Sequence, residues 1–326
     1  MRKIILLIFS IAFFSSCKKD IQNTFILYSN LGINDTAWTN KPMSPFVADT
    51  LSNAINNTHL FVDSFDITKG KIIKLVDNLE VSIQPYSCFD PDNNMPLKGN
   101  VRIEVLALRK KGDYIKYLLP TTSNKRLLES EGIFYVRLSQ NNHELIIKPN
   151  GYLKLKWVYE SPIINMKFFE LIALRSQDSL YTWMPGYDGN ISTWDSTSFG
   201  VAKRGYEMTT GSIGWLSCGL FIDTLPQTTR LNVTLPPNYT NKNTFVFATF
   251  NNKRTIVRLN ADFNSRTFYA LNVPVNSSIT LLSMSLIDNQ YYWASNNVTV
   301  VNANRFSLSP GQTTINAIIA NLDNLQ

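Results

Sequence analysis

From residue 61 onward the chain is a succession of strand-length apolar runs cut by turn residues, and this rhythm restricts the fold more than any other feature. Val101, Ile103, Val105 and Ala107 alternate with Arg102 and Glu104, and Leu153, Leu155 and Trp157 alternate with Lys154 and Lys156. A period of two places one set on a buried face and the other in solvent, which is a half-buried strand. Between them, GIFYVRL (132–138) and ELIIKP (144–149) are bounded by the turn residues 140–143 and by Pro149, Asn150 and Gly151. A second set follows: RLNVTL, TFVFATF, TIVRLN, RTFYAL, SITLLSMSLI and NVTVV, with hairpin signals at Asn251-Asn252 and Asn264-Ser265. Short strands with regular turns predict an all-β chain of two or three antiparallel β-sandwich domains.

Helical signal is confined to two places. Ile315, Ile318, Ile319, Leu322 and Leu325 follow the spacing of one helix face after Thr313 or Thr314 as cap, predicting a short C-terminal helix docked on the last domain. Val47, Leu51, Ala54 and Ile55 also fall at helical spacing, over a stretch too short to assign. The expected organisation is a signal at 1–16, a tether and lead-in at 17–60, a sandwich at 61–161, and a β-rich middle segment at 162–225. A second, Ig-like sandwich at 226–310 and the helix at 311–326 complete it.

The N-terminus reads as an export signal. Arg2 and Lys3 precede the apolar run IILLIFSIAFF, which ends in Ser15 and Ser16. That run is shorter than the roughly 20 residues a spanning helix needs. Cys17 follows at once, then Lys18, Lys19 and Asp20. FSSC (14–17) resembles the bacterial lipobox, with Phe14 in place of the usual aliphatic residue, and the resemblance implies lipid attachment at Cys17. The alternative is a simple cleaved signal beside an unrelated cysteine. With lipid on Cys17, acyl chains would hold the protein, each buried methylene contributing about 0.8 kcal/mol. Loss of residues 1–16 lowers the net charge from +7 to +5, a mild excess that carries no acidic partner by itself. Cys88 and Cys218 are the other cysteines; they fall in segments assigned to different domains and are read as buried free thiols.

The run at 100–149, with its Pro-Thr turn, its LLES–G–F strand start and its QN–EL hairpin, is similar to a segment of surface lipoproteins of Bacteroidota-type bacteria. GSIGWLSCGLF, VTLPPNYTNKNTFVFATF and YYWASNNVTVV resemble the later half of the same proteins. The resemblance implies a ZU5-like β-sandwich and an outer-membrane, surface-exposed address; it implies no activity. CKKD resembles the charged segment after the lipidated cysteine of that group. The triplets around Thr36, Thr50, Ser179, Ser196 and Thr224 resemble its O-glycosylation sequence, though Asp-Thr and Asp-Ser are also ordinary turn pairs.

Catalytic signatures are sparse. His59 and His143 are the two histidines, far apart and without ligands at metal spacing, and there is no G-x-S-x-G, phosphate loop or H-E-x-x-H. No cofactor, metal ligand or catalytic residue is assigned. Glu129 and Glu131 would share a strand face, read as a solvated edge rather than a hydrolase pair. DPDNN (90–94) has oxygen ligands at alternate positions but lacks the glycine and distal glutamate of a calcium loop. Tyr181, Trp183, Tyr187 and Trp194, interleaved with Gly, Asp and Asn, are the candidate ligand surface, since exposed aromatics stack on sugar rings. The competing reading puts Trp183 and Trp194 in the core of a strand pair. No basic stripe runs with these aromatics, which excludes nucleic acid. The expected role is a non-catalytic, lipid-anchored envelope protein, with glycan binding as the alternative and a carboxylate hydrolase third. Its expected partners are the membrane and either a glycan or another envelope protein.

Overall fold

The computed structural model describes residues 36–41, 43–92, 97–173, 181–198, 201–222, 227–302 and 305–325. Cys17, Ser179, Thr224 and the strand expected at 24–29 lie outside the described residues. The alternating segments form strands that build β-sandwiches, with a short helix at the C-terminus.

In the first sandwich the strands are β1 (Phe61–Asp66), β2 (Lys71–Lys74), β3 (Leu79–Ile83), β4 (Cys88–Phe89), β5 (Asn100–Leu108), β6 (Thr122–Ser123) and β7 (Arg126–Gln140). They continue with β8 (His143–Glu144), β9 (Ile146–Ile147), β10 (Leu153–Val158), β11 (Lys167–Ala173), β12 (Tyr181–Pro185), β13 (Gly189–Ser198), β14 (Val201–Thr210) and β15 (Gly214–Phe221). One sheet runs β1-β5-β7-β15-β11-β12 and the facing sheet runs β13-β14-β10-β3-β2. Ile103, Val105 and Phe134 from the first meet Leu155, Trp157 and Tyr206 from the second. The rings of Phe134 and Trp157 lie 4.8 Å apart. The segment expected at 162–225 is therefore not a separate layer: β11, β12 and β15 hydrogen-bond into one sheet, β13 and β14 into the other. Cys88 and Cys218 sit in this one core as free, buried thiols.

The second sandwich pairs β19 (Asn260–Asp262), β20 (Thr267–Pro274), β16 (Thr228–Thr234) and β23 (Arg305–Ser307), in that order. Its other sheet runs β18 (Ile256–Arg258), β17 (Thr244–Phe250), β21 (Ser278–Ile287), β22 (Gln290–Thr299) and β24 (Gly311–Thr313). All its pairs are antiparallel except β16 with β23, which is parallel. Leu231, Val233, Val246, Ala248, Phe268 and Leu281 fill its core.

A third apolar layer joins the sandwiches. Leu106, Leu108, Ile133, Phe169 and Trp183 on the outer face of the first meet Phe245, Phe247, Ile256, Leu282 and Met284 on the outer face of the second. β17 is buried at all seven positions as a result, and β7 at most of its fifteen. Strands covered on both faces carry continuous apolar runs rather than alternation, which is why TFVFATF has no polar face.

Three helices close this layer. In α1 (Pro45–Ile55) proline starts the first turn and Leu51 and Ile55 are buried. The spacing of Val47, Leu51 and Ile55 thus marks a real helix, stabilised by what it packs on. In α2 (Lys111–Lys116) the Asp113 carboxylate accepts from the Lys110 N–H at 3.2 Å. In α3 (Ile315–Asp323) the Thr314 hydroxyl accepts from the Ala317 N–H at 3.2 Å, fixing the cap on Thr314. Helix α3 docks in the joining layer against α1 and α2 rather than on the last sandwich alone. A Cβ on Gly112 would stand 1.8 Å from the Leu322 carbonyl oxygen, so only glycine permits that approach. The buried Lys116 ammonium bonds Asn57 Oδ1 at 2.6 Å and the Asp323 carboxylate, tying α3 down through its C-terminal end.

Candidate functional site

Where the joining layer does not close, it leaves a cleft of about 780 Å³. Its walls come from both sandwiches and from the lead-in segment. The first sandwich contributes Leu171 on β11, Trp183 on β12, Trp215 on β15 and the loop Tyr117 to Pro120 after α2. The second contributes Phe245 on β17, Arg258 on β18, Ala261 on β19 and Phe268 on β20. Residues 39–41 and α1 cover one side. They are held there because Asn241 both accepts from the Thr39 N–H at 3.1 Å and donates to the Thr39 carbonyl at 2.6 Å. Trp38 packs its ring 5.1 Å from that of Phe268.

The walls are fixed in place. Trp183 is 1% exposed and its indole N–H donates to the Pro120 carbonyl at 2.9 Å. Tyr117 and Trp215 meet edge to face at 5.6 Å. Thr121 bonds Ile256 through its N–H and through its hydroxyl oxygen, at 2.8 and 2.9 Å, locking the loop of one sandwich to a strand of the other. Leu118, within that loop, holds φ at 54°, a left-handed conformation that costs a non-glycine residue about 1–2 kcal/mol. Strain of this kind persists where its surroundings impose it and gathers at ligand sites.

One polar group in the cleft has no obvious structural task. Arg258 shares a strand face with Ile256, which points into the joining layer, while Val257 between them points into the sandwich core. Its guanidinium lies 4.6 Å over the Phe245 ring. Among the described residues its side chain has no ion pair or hydrogen bond beyond that contact. Loss of water around it lowers its pKa from the usual 12.5 to about 10. Sequence reasoning missed Arg258; the available signal was an arginine in phase with the inward residue of TIVRLN.

The expected aromatic surface does not assemble. Trp183 on β12 and Trp194 on β13 belong to different sheets. Trp183 is core, as the competing reading had it. Trp194 is half-buried, donating from its indole to the Tyr206 carbonyl at 3.1 Å, with the Lys156 ammonium 4.4 Å from its ring. Tyr187 is fully exposed on the intervening turn, and the side chain of Tyr181 lies outside the described residues. The glycines there serve packing: a Cβ on Gly186 or Gly189 would stand 2.3 Å from the Phe168 ring. Of the modification candidates, Thr36 and Ser196 are exposed, and the Thr50 hydroxyl donates to the Phe46 carbonyl within α1 at 2.7 Å.

Two further expectations change. Glu129 and Glu131 are 8% and 2% exposed rather than at a solvated edge. Lys253 bonds Glu129 and Arg254 bonds Glu131, each at 2.9 Å, from the second sandwich, so the pair joins sandwiches. His143, apart from any ligand in the sequence, lies beside Asp90 and Asp92, with one donor atom of each within 4.8 Å of the others. They are the residues that could reach a common metal ion, among those described. The Asp92 N–H bonds Asp90 Oδ1 at 3.0 Å, so turn geometry already accounts for the two aspartates.

Comparison with protein-family models, curated proteins and solved structures finds no match for this chain. The functional reading therefore rests on the cleft itself.

Proposed function

We propose that this is a non-catalytic, lipid-anchored cell-envelope protein whose binding surface is the cleft between its sandwiches. The observation that carries the reading is that cleft: about 780 Å³, at a junction, walled by aromatic and aliphatic side chains with polar groups such as Asn241, Asn260 and Arg258 among them. Ligand sites have this size and composition and favour domain junctions. The strained Leu118 and the fixed Trp183 wall support it, because a pre-formed site spends less on ordering itself when a ligand enters. Glu129 and Glu131, the pair a hydrolase would use, are each neutralised by a cation across the junction, which favours a structural role for both. The anchor is argued from the segment ending at Cys17, and the ZU5-like likeness fits a sandwich of this kind. Surface glycans on Thr36 and Ser196 belong to the same proposal.

The neutral dye N-phenyl-1-naphthylamine tests the cleft. Its fluorescence should rise on binding the purified protein and fall back in Ala261→Trp, which adds an indole to the cleft wall, in a variant whose cooperative thermal unfolding shows that it is folded. Equal dye uptake by both proteins would overturn the cleft as the site. The anchor is tested separately by intact mass from cells: acyl mass on the wild-type chain, lost in Cys17→Ala, is the expected result, and an unmodified Cys17 rejects it.

A further inference from the structure

Resting on that reading of the cleft, we infer that its ligand carries a single carboxylate on an apolar or aromatic body, with Arg258 as the counter-ion. Taking a cation even partly out of water without a partner is unfavourable, and proteins ordinarily pair such groups. Arg258 lines the cleft half-buried, with its guanidinium carbon 4.6 Å from the Phe245 ring centre, and is otherwise unpartnered among the described residues. The ring contact uses none of the guanidinium's five N–H donors as a hydrogen bond, which leaves them for a ligand. A carboxylate fits the guanidinium edge with two parallel hydrogen bonds, a geometry a lysine could not offer.

The charge inventory selects a monoanion. Besides Arg258 the cleft lining holds one other cation, Lys41, which is exposed, and one carboxylate, Asp49, also exposed. These two offset each other, so the net charge facing a ligand is that of Arg258. A phosphate dianion would bring one charge more than the lining neutralises. The remaining wall, including Trp215, Phe245 and Leu118, offers apolar area against which a ring or an aliphatic chain is driven from water.

Calorimetric titration with 2-naphthoate and its neutral counterpart 2-naphthamide tests this on the purified protein. Naphthoate should bind about tenfold or more tighter than the amide, the scale of hydrogen bonds to a charged group. Arg258→Met should abolish that preference, bringing naphthoate down to the affinity of the amide measured on the same variant. Arg258→Lys, which keeps the charge but not the fork, should retain part of it and serves if the methionine variant does not fold. Equal affinity for the two probes, or a preference that survives Arg258→Met, overturns the counter-ion role while leaving the cleft as a binding site. Failure of both probes on protein that still takes up the neutral dye overturns it as well. Failure of probes and dye alike removes the cleft reading itself.

Discussion

Replacing Trp183 by alanine is expected to lower folding stability by about 3–5 kcal/mol, the range for deleting a large aromatic from a packed core. The side chain is 1% exposed, belongs to the layer that joins the sandwiches, and closes the Pro120 carbonyl with its indole N–H at 2.9 Å. Three losses therefore coincide: buried apolar area, the cavity left behind, and a carbonyl stripped of its donor. Trp194→Ala should cost much less, since that ring is half-buried and lies along a sheet surface over Lys156. Urea unfolding of the two variants checks this directly. Similar, small losses for both would mean that Trp183 is not held as described and that the cleft wall it forms is not rigid. Dye uptake should also fall in Trp183→Ala, because Pro120 and Leu118 stand on the loop it secures.

How far the sequence discloses this molecule depends on whether a residue's task is local. Val101, Ile103 and Val105 reveal β5 because alternation is a property of one strand against one core. The cap at Thr314 and the apolar face of Ile318 and Leu322 reveal α3 for the same reason. α1 is harder to read, since its stability comes from Leu51 and Ile55 packing on elements far along the chain. The joining layer is written in TFVFATF, but continuity alone cannot tell a strand covered on both faces from a helix core. The cleft is less legible still. Leu171, Trp183, Phe245 and Arg258 come together only because two sheets turn their outer faces toward each other. The cluster Tyr181 to Trp194 misled for the complementary reason: neighbours in sequence are sent to different sheets by one turn.

Arg254→Met is expected to cost about 3–5 kcal/mol at pH 7.5, because it leaves the Glu131 carboxylate buried without its cation. Glu131 is 2% exposed, and desolvation already raises its pKa above 4.5 even with Arg254 opposing that rise. A raised acid contributes stability that is fully present below 4.5 and is lost as pH rises through its folded value. Removing Arg254 lifts the folded value further, so the variant should lose stability more steeply between pH 5 and pH 7.5 than the wild type does. At pH 5 Glu131 can take up a proton, and the gap between the two proteins should narrow. Glu131→Gln in the Arg254→Met background should restore most of the loss at pH 7.5, since a neutral amide removes the orphaned charge. Lys253→Met makes a contrast: its ammonium is well exposed, and its pair with Glu129 should contribute no more than about 1 kcal/mol. Urea titrations at the two pH values decide the matter. A loss in Arg254→Met that is the same at both, and that Glu131→Gln does not relieve, would assign its effect to the packing of Arg254 over Tyr159 at 5.0 Å instead of to charge. If the pH-dependent result holds, the two sandwiches are fixed to each other by a charge buried at their junction, which keeps the walls that both supply to the cleft in register without a ligand.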